Sequence, residues 1–90
     1  MISGQGKIAV SNTPVQISLG GLLQGLVLIA GGSNAAALTV GSSSTLVNTA
    51  DGTGNGGILA AGNQLVVPLS GQSAVWVNGT AGDIFSYVGA

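Results

Sequence analysis

Ninety residues make one domain, 1–90, with room for a single modest core that buries about 60 to 65% of the unfolded chain's surface. One Lys and two acids leave the chain 3% charged, against roughly 25% in ordinary soluble domains; a lone Lys7 cannot neutralise a run of phosphates, which argues against nucleic-acid binding through a basic footprint. There is no cysteine and no histidine, hence no disulfide framework, no thiolate chemistry and no imidazole to act as general base or metal ligand.

Water must be met by Ser, Thr, Asn, Gln and backbone. So neutral a surface gives a free monomer little protection against self-association, and much of it is expected to be covered in use, as in an assembly subunit. A hydrophobic fraction of 46% and several β-branched runs oppose disorder. Behind Lys7 stand only Ile8, Ala9 and Val10, too short an apolar run for a secretory signal, and none is expected. The longest apolar region, Leu19 to Ala30, is interrupted by Gly20, Gly21, Gln24 and Gly25 and falls short of the roughly 20 residues of a membrane helix. No membrane span is expected.

In chain order, Lys7 to Val10 reads as a first strand and Val15 to Leu19 as a second. In the latter Val15, Ile17 and Leu19 alternate with Gln16 and Ser18, the period of a half-buried strand. Ser11-Asn12-Thr13-Pro14 is the turn between them. Leu26 to Ala30, apolar throughout and bounded by glycines, predicts a central strand buried on each side. Gly31-Gly32-Ser33-Asn34 then turns the chain into Ala36 to Val40, with Leu38 and Val40 inward and Thr39 outward, and these two strands are expected to form a hairpin. After the loop Gly41 to Ser44, Leu46 and Val47 make a brief apolar touch, and Ala50 to Gly57 reads as a glycine-rich surface loop.

Ile58 to Ala60 is a candidate short strand, and Ala61-Gly62-Asn63 turns the chain into Leu65, Val67 and Leu69. Pro68 lacks an amide hydrogen and belongs at an edge or bulge where that strand ends. The stretch Ala74 to Val88 holds all three aromatic residues, Trp76, Phe85 and Tyr87. Two β-rich runs flank Asn78-Gly79-Thr80-Ala81-Gly82-Asp83, which reads as a closing hairpin. Trp76, between Val75 and Val77, is expected in the core. The fold class is therefore all-β: a small antiparallel β-sandwich or barrel of about seven to eight short strands.

Three patterns imitate functional motifs. Gly52-Thr53-Gly54-Asn55-Gly56-Gly57 spells G-x-G-x-x-G, but ILAAGNQLVV directly behind it is interrupted by Gly62 and then alternates as a strand, so the helix start that would hold a phosphate is missing. Asp51, Thr53 and Asn55 echo a calcium loop whose twelfth position is Gly62 instead of a bidentate Glu. Asn78-Gly79-Thr80 is a formal glycosylation sequon, read here as a turn. Asp83 is expected to bond turn amides, and no group is on hand to activate any serine. No catalytic, cofactor-binding or metal-ligating residue is assigned, no cofactor is expected, and the chain reads as a non-enzyme.

The order VQISL, LVLIAGGSNAAALTVGSSSTL and GGILAAGNQLVVPLSGQSAVWVNGTAGDIFSYV resembles the small all-β virion proteins of tailed bacteriophages that decorate or cement capsids. Val40-Gly41-Ser42, Leu59-Ala60-Ala61-Gly62-Asn63, Leu65 to Leu69 and Val75 to Tyr87 carry the likeness, which runs from Val15 to nearly the end. The resemblance implies a structural protein on the capsid exterior, a homotrimer that binds across subunits of the major capsid protein and stabilises the lattice. A tail, baseplate or head-fibre component is the alternative, with host-glycan binding through Trp76 or Tyr87. Protein-interface residues are not assigned from sequence.

Overall fold

The computed structural model describes residues 2–18, 25–42, 44–46, 56–68 and 74–89. Among them run eight strands: β1 Ile2–Lys7, β2 Val15–Ser18, β3 Gly25–Ala30, β4 Leu38–Gly41, β5 Gly57–Leu59, β6 Gln64–Pro68, β7 Ala74–Asn78 and β8 Ile84–Gly89. They build two antiparallel four-stranded sheets, β1-β8-β3-β6 and β2-β7-β4-β5, and the described residues contain no helix. The expected all-β sandwich is what the chain forms.

Each strand of the first half pairs with its counterpart from the second: β1 with β8, β2 with β7, β3 with β6 and β4 with β5. The chain is thus one long hairpin, rolled so that successive pairs fall in alternate sheets. Pairing of β3 with β8 and of β4 with β7 closes the roll. This is the connectivity of an eight-stranded, double-sheet jelly roll.

The inner faces hold Leu26, Leu28, Ala30 and Phe85 from the first sheet against Ile17, Leu38, Val75 and Val77 from the second, with Ile8 from the first connection between them. Leu65, Val67 and Tyr87 pack at the margin. Two inward positions of β1, Gly4 and Gly6, carry no side chain. Gly4 pairs with Tyr87 and Gly6 with Phe85. A Cβ on Gly4 would lie 2.5 Å from the Tyr87 hydroxyl, and one on Gly6 would overlap the Phe85 ring. The two rings fill the space that β1 leaves, so glycine is required there by close approach.

At one end of the sandwich the connections 8–14, 31–37, 60–63 and 79–83 all cross between the sheets. Thr80-Ala81-Gly82-Asp83 and Ala60-Ala61-Gly62-Asn63 are each closed by a 3.0 Å hydrogen bond from the fourth amide to the first carbonyl. Gly82 and Gly62 stand at φ of +94° and +78°, the third-position conformation of a type II turn. Further bonds seal this end: Ile8 N to Asp83 O at 2.9 Å, Gly82 N to Ile8 O at 2.8 Å and Asn12 N to Gly79 O at 3.1 Å.

Several expectations are corrected. The first strand is Ile2–Lys7, not Lys7 to Val10, because pairing with β8 determines it and not apolar alternation. The other strands shift by a residue or two: β4 begins at Leu38, and β5 covers Gly57–Leu59. Neither expected hairpin exists. The turn at Gly31 to Asn34 forms, with Asn34 N bonded to Gly31 O at 3.1 Å, yet β3 and β4 enter different sheets, as do β7 and β8. Strand β3 is central but presents Ile29 outward and exposed, so it is buried on one face only. Trp76 points away from the core-facing Val75 and Val77 and is half-buried. Pro68 does end an edge strand, β6. Residues 19–24, 43, 47–55 and 69–73 carry parts of the expected apolar stretch and loops and lie outside the described residues.

Replacing Gly6 with Ala should cost about 1–3 kcal/mol by overpacking, while Gln5→Ala, one position away on the outer face, should stay within about 0.5 kcal/mol. Urea denaturation midpoints of the two variants check this; equal midpoints would show that the Phe85 ring yields freely.

Candidate functional site

The few residues with chemical reach are placed for structure. Asp83 is 4% exposed, and its carboxylate accepts the Ala35 amide at 2.8 Å and the Ala36 amide at 3.3 Å. The expectation that it would bond turn amides is thereby corrected in partner: the amides belong to the β3–β4 connection, not to its own turn. Beside it, the Asn34 side chain donates to Ile84 O at 2.9 Å and accepts from Ile84 N at 2.8 Å, a two-bond pairing that copies a neighbouring strand. Together they tie the β3–β4 connection to the start of β8.

Asn78 is fully buried. Its amide donates to Leu46 O at 2.8 Å and to Asn12 Oδ1 at 3.3 Å, and its Oδ1 accepts from Gly79 N at 2.8 Å. A glycan has no room on that nitrogen in the folded chain, so the sequon is a structural asparagine. The phosphate-loop spelling and the calcium-loop echo fall largely on residues 51–55, outside the described set, while Gly57 opens β5 and no helix. Among the described residues no three His, Cys, Asp or Glu side chains come together.

What distinguishes the surface is a difference between the two outer faces. On β2-β7-β4-β5, Thr39 and Asn78 lie on the outer side and are nonetheless buried, because Leu46, itself 2% exposed, folds back over them, while Ile58, beside Thr39 in the same row, stays 45% exposed. A Cβ on Gly56 would meet the Leu46 side chain at 2.5 Å and the Val40 carbonyl at 2.6 Å, so this cover is tight. Trp76 continues it, half-buried, with Gln16 and Gly41 as cross-strand neighbours.

The outer face of β1-β8-β3-β6 has no such cover among the described residues. Val88, Val27 and Val66 form one cross-strand row, and Ser86, Ile29 and Gln64 the next. Ile84 is 51% exposed, Val66 65%, Val88 42% and Ile29 37%. Lys7 lies opposite Ile84 at the corner. Toward that corner the face dips into a concavity of about 540 Å³, with Gln5, Lys7, Ile29, Gly31, Ile84 and Ser86 on its walls and floor. A smaller one, about 320 Å³, opens at the lateral seam between Leu65, Val67 and Val75. Strand propensity explains the apolar face only in part. Isolated exposed valines are ordinary, whereas a contiguous apolar patch on one sheet is a candidate contact surface.

Sequence periodicity identified Val66 as outward, but Val27, Ile29, Ile84 and Val88 needed the strand order. The outer-face role of Trp76 was available in the alternation Val75-Trp76-Val77 itself, which puts the ring on the side opposite the two valines.

Asp83→Ala should lose about 2 kcal/mol, because two partly buried amides lose a charged acceptor, and Asp83→Asn should lose less; thermal unfolding of both compares them, and an unchanged Asp83→Ala would remove the carboxylate from the fold's supports. Val66→Thr and Val88→Thr should each stay within about 0.5 kcal/mol, whereas Val75→Ala on the inner face should cost about 2 kcal/mol, read from urea midpoints. No protein-family profile, curated protein or solved structure matches the chain.

Proposed function

We propose that this protein is a non-enzymatic structural subunit of a tailed-bacteriophage virion, seated on the outside of the head by the bare outer face of β1-β8-β3-β6 and stapling neighbouring subunits of the major capsid protein. The observation that carries the reading is the row of exposed aliphatics on that face, Ile84, Val66 and Val88 among them, where the opposite face is covered in part by the chain's own Leu46 and keeps one exposed aliphatic, Ile58. A chain with 3% charged residues docks by shape, apolar burial and backbone hydrogen bonds. The sequence likeness from Val15 onward to capsid-decorating proteins supports the same reading, and the jelly roll is an architecture shared with viral capsid domains, a likeness of fold alone.

The size of the face favours several copies acting together. Four strands about 4.8 Å apart and five residues long present roughly 300 Å² in plan, below the roughly 800 Å² per partner of a stable specific interface. A homotrimer offers three such faces at once, and linked weak contacts gain avidity without any new contact. Occupancy at a hundred times the dissociation constant would add about 2.7 kcal/mol per site to the assembled lattice.

A second reading, host-glycan binding, draws on the outward Trp76 ring; Tyr87 packs against the core from inside and is not a platform for it. A sugar needs an open ring face, and half-burial of Trp76 leaves less of one than the β1-β8-β3-β6 face offers to a protein. Heads lacking the protein, mixed with purified protein and sedimented, test the two. Saturable binding that raises the temperature at which heads lose their DNA, with a threefold subunit mass in solution, is the expected result. Absence of binding to heads, with binding to tails or host glycan instead, overturns the capsid reading.

A further inference from the structure

We propose that the concavity over β8 receives an extended partner segment in which a carboxylate stands among apolar side chains, the carboxylate set against Lys7 and the apolar groups on Ile29 and Ile84. The inference rests on the β1-β8-β3-β6 face being the docking surface and adds the chemistry of what docks there.

Lys7 is the single Lys or Arg of the chain, and it lies exposed on the wall of the larger of the two concavities described above. Any partner that covers this face strips water from the ammonium group. An opposite charge offsets that loss, so a covering surface that brings a carboxylate to this corner binds better than one that does not. A second copy does not supply one from the described residues: Asp83 is buried and its two oxygens are held by Ala35 and Ala36. The proposed partner is a different chain; pairing of two copies through Asp51, which lies outside the described residues, would show as a Lys7-dependent rise in mass with concentration and would overturn it.

The shape calls for an extended segment. The concavity follows β8 from Ile84 to Ser86, with Gln5 and Lys7 of β1 on one side and Ile29 and Gly31 of the β3 side on the other. Alternate residues along β8 stand about 7 Å apart, which is the spacing of alternate side chains in an extended chain laid parallel to it. A Cβ on Gly32 would meet nothing within 4 Å, so that end of the trough is open for the segment to leave. Gln5 and Ser86 supply hydrogen-bonding side chains between the apolar contacts, the mixture of apolar walls and few polar groups found in peptide and ligand clefts. The segment is recognised by an acid next to aliphatic residues, not by shape alone.

The probes are capped hexapeptides of alternating Val and Ser with one central Glu, Gln or Lys, titrated into isotopically labelled full-length protein and followed by amide chemical shifts. The Glu peptide should produce saturable shifts at Gln5 to Lys7, Ile29 to Gly32 and Ile84 to Ser86. The Gln peptide should bind about fivefold more weakly, as expected for loss of one partly solvated ion pair, and the Lys peptide more weakly still. Lys7→Gln, with an unchanged spectrum elsewhere attesting its fold, should abolish the preference for Glu. No saturable shift, shifts confined to other surfaces, or equal affinity for the Glu and Gln peptides overturns the proposal. Head binding lost while the Glu preference persists would overturn only the capsid reading; head binding intact without any Glu preference would overturn only this one.

Discussion

The fold depends on β8. It is the one strand hydrogen-bonded to both β1 and β3, so it joins the start of the chain to its middle, and it carries two of the three aromatic rings. Phe85 and Tyr87 turn inward over Gly6 and Gly4. A core of aliphatic side chains alone would leave a gap beside Gly4 and Gly6 of β1; the rings close it. Removing either part, the ring or the glycine opposite it, leaves a void or a collision, and voids and collisions in a small core cost comparable amounts.

Scarcity of charge shapes the rest. Every pair of consecutive strands except β4 and β5 changes sheets, so the chain crosses between layers at each of those connections, and the crossing backbone needs hydrogen-bond partners. Here short polar side chains and backbone provide them. Asn34 pairs with both backbone groups of Ile84, Asp83 takes the amides of Ala35 and Ala36, Ser11 Oγ accepts the Ala81 amide at 2.8 Å, and Asn78 bridges Leu46 and Gly79. No buried side-chain nitrogen or oxygen among the described residues is left without a partner. One of the two acids in the chain is thereby committed to the frame, while Lys7 stands exposed at the corner of the β1-β8-β3-β6 face.

Much of the strand inventory was legible because β-branched alternation in Val15 to Ser18, Gln64 to Pro68 and Ala74 to Asn78 is a local property, set by one buried face. Partnership was not. Turn signals tell where a chain bends but not which strand it next lies beside, and the jelly roll pairs Lys7 with Ile84 from opposite ends of the chain. One clue was present: a tight two-residue hairpin favours turns whose first central residue has positive φ, while Thr80-Ala81-Gly82-Asp83 offers a glycine only at its third place, where φ is +94°. That pattern suits a crossing between sheets. Strand β1 was illegible for a different reason, since Gly4 and Gly6 stand at inward positions and the apolar filling over them comes from Tyr87 and Phe85 of β8.

The candidate site was invisible for the same cause as the pairing. Val27, Ile29, Val66, Ile84 and Val88 come from three strands scattered over the chain, and only the order β8-β3-β6 lines them up. The contrast with the other outer face sharpens what this patch means. Where a row of the second sheet needed cover, the chain turned back and laid Leu46 on it, at the entropic cost of ordering a further segment. On the first sheet the aliphatic row is larger and more exposed, so burying it would offset that ordering more fully, yet no described segment is laid there. A surface whose burial would add stability, left open by the described residues beside Lys7, is the one that the proposed docking would use.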